Sequence, residues 1–190
     1  MKATLDEEYL RMSTGGELTP LAGNIVLVEY DPQWPLRFQG EAKRIGTALG
    51  EQALRIEHVG STSVPGLSAK PIIDIVLVVF DSANEVAYAP ALEQAGYQLR
   101  IREPAWHEHR MFKSSEGDVN LHVFSADCPE VDRMVMFRDW LRTSAEDRDL
   151  YARTKTTLAQ KVWKYTQNYA DAKTAAIEQI MSRATRAVEF

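Results

Sequence analysis

The pattern of apolar and polar positions predicts a helix and two central strands in the first half of the chain. Residues 25–28 form a short apolar run that indicates a strand or an extended lead-in. Trp34-Pro35 opens a helix of about 16 residues, because proline is tolerated in the first turn and apolar residues then recur at helical spacing. Residues 53–58 indicate a first central strand. Residues 72–80 are rich in β-branched side chains and predict a strand buried on both faces.

The later pattern predicts one more strand, a hairpin and a helical end. The expected elements are a turn over 64–70, a helix over 81–94, a strand over 97–102, a hairpin of 110–113 with 119–124, a helix over 130–143, and a helix from Ser144 to about 183 that is continuous or interrupted near Asn168. Strands and helices in this order indicate a single mixed sheet with helices packed on it, an α/β or α+β domain.

The stretch between the two central strands carries the clearest chemical signal. Asp74 stands at the head of an apolar strand, and an ionised carboxylate buried there needs a cation, a metal or several N–H donors. Gly60, Ser61, Thr62 and Ser63 precede it and offer small residues, hydroxyls and backbone N–H groups. Turns of this kind bind phosphates, so these residues are candidates for an anion site.

The run HVGSTSVPGLSAKPIIDI, residues 58–75, resembles the signature of the GrpB family, a branch of the nucleotidyltransferase superfamily. Residues 28–35, 120–124 and 151–173 resemble the family's opening segment, its later His-containing strand and its closing helix. The resemblance covers about residues 25–182. It implies a nucleotidyltransferase-like fold, with a mixed β-sheet, flanking helices and a C-terminal helical segment.

The resemblance also implies chemistry. Superfamily members have a Gly-Ser turn, then an Asp-x-Asp or Asp-x-Glu pair, and a third carboxylate further on. Gly60 and Ser61 match the turn and Asp74 matches the first carboxylate, whereas Val76 stands where the second would be. Such an Asp coordinates Mg²⁺ that bridges nucleotide phosphates, which makes Asp74 the catalytic and metal-binding candidate. The missing carboxylate weighs against catalysis.

Other side chains are candidates for the remaining metal ligands. Glu57 and His58 end the neighbouring strand, and His122 lies on a later one. Together with Asp74 they are expected to hold Mg²⁺ or another divalent metal through mixed nitrogen and oxygen ligands. A hydrogen-bonded structural role is the alternative for both histidines.

Cationic side chains are candidates for binding phosphate. Lys70 is expected either to face a phosphate or to neutralise Asp74. Arg102 and Arg110 flank the middle strands, where guanidinium groups clamp phosphates or carboxylates, and an ordinary surface position is the alternative for both.

The closing helix contributes two further pairs of candidates. Tyr169 and Lys173 are four residues apart and share a helix face, as do Tyr151 and Lys155. Because the family's closing helix has similar positions, these side chains are candidates for the pocket, with Lys173 a predicted phosphate ligand. His107 and His109 share one side of a strand if residues 106–112 are extended, which would make them ligand candidates, but both are expected to decorate a loop.

Composition limits the class of protein. The 190 residues, 45% hydrophobic and 26% charged, suit one globular domain, expected over 23–187 after an N-terminal arm over 1–22. The formal charge of −5 makes nucleic acid an unlikely partner. The single cysteine, Cys128, excludes an internal disulfide and a Cys-based zinc site. No apolar run reaches the ~20 residues that span a bilayer, and signal-peptide features are missing, so a cytoplasmic location is expected.

Three functions are therefore compatible with the sequence. The first is a metal-dependent nucleotidyltransferase, and the second is a module that binds a nucleotide or another phosphorylated small molecule without turnover. The third is an accessory domain for a protein partner, because GrpB-like domains occur fused to dephospho-coenzyme A kinase, which suggests coenzyme A metabolism. The Gly-x-x-x-x-Gly-Lys-Ser/Thr phosphate loop of such kinases does not occur in this sequence.

Overall fold

A five-stranded mixed sheet forms the centre of the computed structural model, which describes residues 7–15, 17–18 and 20–188. The strands are β1 (Arg55–Val59), β2 (Ile73–Val79), β3 (Tyr97–Glu103), β4 (His109–Ser114) and β5 (Val119–Ser125). Their order across the sheet is β1-β2-β5-β4-β3; β2 and β5 pair in parallel, and the other pairs are antiparallel. The predicted mixed sheet is confirmed.

Helices pack against the sheet and against one another. They are α1 (Glu7–Ser13), α2 (Trp34–Leu49), α3 (Ala89–Gln94), α4 (Pro129–Thr143), α5 (Ala145–Ala159), α6 (Thr166–Asp171) and α7 (Thr174–Val188). The predictions for α2 and α4 are confirmed to within a residue. The start of α5 is also as expected, since the Ser144 hydroxyl accepts a hydrogen bond from the Asp147 N–H at 3.3 Å. Within the described ranges, every helix is too short or too polar to span a membrane.

The single helix predicted over 81–94 is wrong. Turns and a 3₁₀ segment, Glu85–Ala87, precede α3, which begins only at Ala89. The buried Tyr88 donates its hydroxyl to the Ser82 carbonyl at 2.7 Å, which folds the chain back on itself. Pro90 then lies in the first turn of α3, the one part of a helix that tolerates its missing N–H.

The long C-terminal helix is interrupted, which was one of the two alternatives. The breaks lie at 160–165 and 172–173, on either side of α6 rather than within it. Lys173 therefore stands at the junction between α6 and α7. Residues 25–28 were expected to form a strand or an extended lead-in, and Val28 forms an isolated antiparallel β-bridge with Ala69.

The α2 and α3 side of the sheet holds the main apolar core. Alternate side chains of β2 and β5 point to this side and pack on both helices. They include Ile73, Ile75, Leu77, Leu121 and Val123, all fully buried. Because each such side chain contributes about 1.5–3 kcal/mol when buried, this face makes the two strands rigid.

The opposite side of the sheet is only partly apolar. Val76, Val78 and Phe124 pack on α4 there, through Val131. Helices α5 and α7 pack beside α4 and form a separate apolar cluster. At the heads of β2 and β5 this side instead carries polar side chains, and these form the candidate site.

The segment predicted as an N-terminal arm contacts the far edge of the sheet. Residues 1–6, 16 and 19 lie outside the described residues. The Tyr9 hydroxyl of α1 donates to Glu103 at 3.0 Å, and the Gly15 N–H donates to the Arg100 carbonyl at 2.6 Å. These contacts tie α1 to β3.

Candidate functional site

The Gly-Ser turn lies directly against Asp74. Gly60 has φ +68°, and a Cβ at this position would lie 2.5 Å from Asp74 Oδ2, so that only glycine fits without displacement. Thr62 and Ser63 are buried and turn inward. The Ser63 hydroxyl donates to the Gly60 carbonyl at 2.5 Å and the Thr62 hydroxyl to the Ile72 carbonyl at 3.2 Å. These two side chains hold the turn in place against the carboxylate.

Asp74 contacts two side chains of the neighbouring strand. Asn120 Nδ2 donates to Asp74 Oδ1 at 2.8 Å, and His122 Nε2 lies 3.9 Å from the same oxygen. Burial opposes ionisation of Asp74, but His122, Asn120 and the charge of Lys173 more than offset this and lower the pKa of the carboxyl. Its side chain is 29% exposed, so an ionised carboxylate is accessible from solvent.

Lys155 reaches the turn from α5. Its ammonium group donates to Ser61 Oγ at 3.0 Å and to the Ser68 carbonyl, and the residue is only 2% exposed. Its ammonium also lies 5.1 Å from the centre of the Tyr151 ring. Burial, followed by the charge of Lys173, lowers the pKa of Lys155 to about 7. This lysine is therefore partly neutral near neutral pH.

Two further lysines share one aromatic ring. The ammonium of Lys173 lies 4.9 Å and that of Lys70 5.9 Å from the centre of the Tyr169 ring. Burial lowers the pKa of both lysines, and the positive charge of Lys173 lowers the pKa of Lys70 further. The negative charge of Asp74 acts in the opposite direction and raises the pKa of each lysine. Within the described residues, neither of these lysines nor Lys155 has a carboxylate oxygen within 4.0 Å.

Two buried polar atoms in this group have no hydrogen-bond partner among the described residues. They are Asn120 Oδ1 and the hydroxyl of Tyr169. Buried polar groups are normally paired, so these two atoms leave hydrogen-bonding capacity unsatisfied beside the lysines. We refer to the following group as the lysine pocket: Gly60, Ser61, Lys70, Asp74, Asn120, Lys155, Tyr169 and Lys173.

A chain of hydrogen bonds reaches the lysine pocket from within the sheet. Glu103 Oε2 lies 2.7 Å from His109 Nδ1, and His109 Nε2 lies 3.0 Å from His122 Nδ1. Glu103 and His109 are each 3% exposed, whereas the side chain of His122 is 24% exposed. We call Glu103, His109 and His122 the histidine chain. The prediction that His109 decorates a loop is wrong, because it begins β4 and is buried.

Comparison with known proteins now gives the family. The family model described as GrpB protein matches residues 24–183. This chain belongs to the GrpB family. A UPF0157 protein of Halalkalibacterium halodurans is 60% identical over 178 residues, which cover 94% of this chain and 91% of the relative. The crystal structure of conserved protein GrpB from Enterococcus faecalis has a TM-score of 0.76 at 30% identity and covers 87% of this chain and 100% of its own.

Another relative of this GrpB chain is named as a kinase. A dephospho-CoA kinase of Mycolicibacterium paratuberculosis is 30% identical over 161 residues, which cover 71% of this chain but 40% of that kinase. The GrpB-like part is thus less than half of the larger protein.

The structure brings together most of the residues that the family signature pointed to. Gly60, Ser61, Lys70, Asp74 and Lys173 all lie in the lysine pocket, and His122 borders it. The pairs noted on the closing helix also arrive there, with Tyr151 beside Ser61 and Tyr169 between two lysines.

Two predicted site residues lie on the opposite, α2 and α3 side of the sheet. Arg110 donates from Nε to Glu85 at 2.6 Å. The ring of His58 stacks on Phe38 at 4.8 Å, and its Nε2 bonds with Thr62 Oγ1 at 3.0 Å. Burial lowers the pKa of His58 to about 4, so this histidine is neutral and structural. Side chains alternate along strands, which separates both residues from Asp74.

The four predicted metal ligands do not converge in this GrpB chain. Glu57 accepts from Arg138 at 2.6 Å and from Arg55 at 3.0 Å, and His58 lies across the sheet. Among the residues that the structure describes, no three His, Cys, Asp or Glu side chains form a group that could hold a metal. Since Mg²⁺ needs several oxygen ligands, the single carboxylate of Asp74 among lysines does not fit a metal held by the protein alone.

Asn120 and Glu103 are the functional candidates that sequence reasoning missed. The Asn-x-His spacing of residues 120 and 122 places both side chains on one face of a strand, and this was the available signal. Pairing with Asp74 depends on the parallel register of β2 and β5. No local pattern specifies that register.

Proposed function

We propose that this GrpB-family protein binds a nucleotide or another phosphate-bearing small molecule in the lysine pocket. The observation that carries the proposal is the convergence of Lys70 and Lys173 on one carboxylate, Asp74, with Lys155 beside the adjoining Ser61 turn. Burying positive charge without a matching anion costs free energy, and a phosphate would offset that cost.

Two sets of polar groups in the pocket suit two parts of such a ligand. The Lys155 ammonium stands beside the Ser61 hydroxyl, and both are donors for a phosphate. Asp74 and Asn120 Oδ1 accept hydrogen bonds, so they suit a hydroxyl or amino group rather than a phosphate. Nucleotides carry both kinds of group.

We extend the proposal to nucleotidyl transfer from such a ligand to an acceptor. A metal bound together with the nucleotide would have Asp74 as its protein ligand and would supply positive charge to the phosphates. The lysines supply positive charge at the same place, which supports binding without a metal.

Ligand binding can be tested by thermal unfolding of the purified protein. The panel contains nucleoside mono-, di- and triphosphates and inorganic phosphate, each with and without Mg²⁺ or Mn²⁺. Ligand at 100 times its Kd stabilises the folded state by about 2.7 kcal/mol and raises the Tm. We expect Lys173→Met to abolish the shift, while Lys43→Met on the exposed side of α2 retains it. No shift with any ligand, or an equal shift in Lys173→Met, would refute the proposal.

The relative named dephospho-CoA kinase supports a second candidate, an accessory role in coenzyme A metabolism with a protein partner. Dephospho-coenzyme A contains a nucleotide diphosphate and belongs in the same panel. Preferential stabilisation by dephospho-coenzyme A over other nucleotides would favour this candidate. Complex formation with a separate dephospho-CoA kinase, measured by sedimentation, would favour the accessory role.

A further inference from the structure

We propose that the histidine chain is a proton relay, which makes His122 Nε2 a proton acceptor for a hydroxyl or water held in the lysine pocket. The inference deepens the proposed function and rests on it for the class of substrate. It concerns chemistry in the pocket rather than binding.

The direction of the hydrogen bonds follows from the carboxylate at the buried end. In the proposed relay Glu103 is ionised and only accepts, so His109 Nδ1 donates to it at 2.7 Å. In a neutral His109 ring, Nε2 then carries no hydrogen and accepts from His122 Nδ1 at 3.0 Å. The remaining nitrogen of a neutral His122, Nε2, therefore presents a lone pair.

That lone pair faces the pocket. His122 Nε2 lies 3.9 Å from Asp74 Oδ1, too far for a direct hydrogen bond. Two acceptors that face each other in this way suit a group with a hydrogen to donate, such as a ligand hydroxyl or a water. Once Nε2 has taken the proton, the carboxylate of Asp74 stabilises the imidazolium ring.

Aromatic packing fixes the orientation of the rings. The His109 and His122 rings stack at 5.2 Å, and the His109 ring stacks on Phe124 at 4.8 Å and meets Trp106 at 5.1 Å. The Tyr9 hydroxyl donates to the other oxygen of Glu103 at 3.0 Å. A base oriented by a buried carboxylate is the arrangement that general acid–base catalysis requires.

The chemical step follows from these positions. The O–H bond of the hydroxyl or water breaks and its proton goes to His122 Nε2. The oxygen forms a bond to the phosphorus of a phosphate held beside Lys155 and Lys173, and the bond from phosphorus to its leaving oxygen breaks. The electron pair stays on the leaving oxygen, where the lysines stabilise the charge. The reaction class is phosphoryl or nucleotidyl transfer to a hydroxyl or to water.

Nitrogen NMR of ¹⁵N-histidine-labelled protein tests the relay without a ligand. We expect the neutral imidazole of His122 to carry its hydrogen on Nδ1. His109→Phe keeps an aromatic ring but removes the acceptor, and it should move the hydrogen of His122 to Nε2. A wild-type His122 with its hydrogen on Nε2 would overturn the proposal.

Chemical reactivity gives a second test that a purely structural role would not affect. Diethyl pyrocarbonate acylates an unprotonated imidazole nitrogen, and mass spectrometry locates the product. We expect His122 to react several-fold faster in the wild type than in Glu103→Gln. The exposed His107 serves as the internal reference, and Glu116→Gln on the surface as the matched control. Equal reactivity of His122 in wild type and Glu103→Gln would refute the relay.

The two proposals fail separately. If nucleotides stabilise the protein but His122 carries its hydrogen on Nε2, binding stands and the relay is wrong. If no phosphate-bearing ligand binds but both His122 results are as expected, the relay is supported and the substrate class is wrong.

Discussion

The two faces of the sheet differ sharply although the same strands make both. On β5, Leu121 points to the α2 and α3 side and is fully buried among apolar side chains, whereas its neighbours Asn120 and His122 point to the lysine pocket. On β2, Ile75 likewise points to the α2 and α3 side, whereas Asp74 points to the lysine pocket. One face stabilises the fold and the other carries groups whose burial is costly, as is usual for functional sites.

The lysine pocket draws its stability from outside itself. Burial lowers the pKa of Lys70, Lys155 and Lys173, which means that the fold disfavours their charged forms. The pocket is held in place by the apolar face behind it and by the Gly60 turn, rather than by its own contacts.

The largest effect on stability is expected on the apolar face. Leu121→Ala should lower the free energy of unfolding by about 2–5 kcal/mol, because it leaves a cavity in a fully buried core. Denaturation in urea measures the change. His122→Gln, one residue along the strand, should cost about 1 kcal/mol or less. Similar losses for the two variants would show that the faces do not differ.

Gly60→Ala should be the next largest change. The added Cβ meets Asp74 Oδ2 at 2.5 Å and the residue is at φ +68°, so we expect a loss of about 2–4 kcal/mol and loss of ligand binding. Gly66→Ala is the matched control, since φ is +78° there but no atom lies within 4 Å of the new Cβ. Urea unfolding of both variants separates backbone strain from the clash, and equal losses would mean that Asp74 does not require glycine.

Lys155→Met should stabilise the protein by about 1 kcal/mol at neutral pH. The pKa of Lys155 is lowered from 10.5 to about 7 on folding, so between these values the unfolded state binds one more proton. Stability of the wild type therefore rises with pH from about 7 to about 10.5, and this rise should weaken in Lys155→Met. Thermal unfolding across this range measures the slope. An unchanged slope would show that Lys155 is not desolvated.

The smallest effect is expected for Arg110→Lys. This residue pairs with Glu85 across the sheet from the lysine pocket, so the affinity for a phosphate-bearing ligand should change by less than about twofold. Calorimetric titration with the best nucleotide of the panel measures it. A large loss of affinity would place the anion site on the other face.

Local patterns were sufficient for much of the fold. The apolar stripe after Trp34 predicted α2, and the β-branched run around Ile75 predicted β2. The helix over 81–94 failed because Tyr88 is buried in the main core against Phe112 and its hydroxyl bonds back to the Ser82 carbonyl, which overrode a good capping signal. Propensity is a weak predictor where tertiary contacts compete with it.

The candidate site was predicted only in part, because local patterns again gave one portion and contacts between strands gave the rest. Gly60 and Asp74 are close in sequence, so the motif itself indicated that they meet. The prediction put Arg110 in the site, whereas its side chain lies on the opposite face of the sheet. Both this outcome and the contact of Glu103 with His109 depend on which face each strand position points to, and on the irregular register between Leu99 and Ile101. Shifting a strand by one residue exchanges its faces, and this parity cannot be read from one strand alone.

The parallel pairing of β2 with β5 has a consequence for the order of assembly. Asp74 and Asn120 are 46 residues apart in sequence, and Ser61 and Lys155 are 94 apart. Contacts of such long separation form late, after local helices and hairpins. During synthesis from the N-terminus, the sheet can form while α5 to α7 are still in the ribosome. The lysine pocket is complete only when α5 to α7 have joined the sheet.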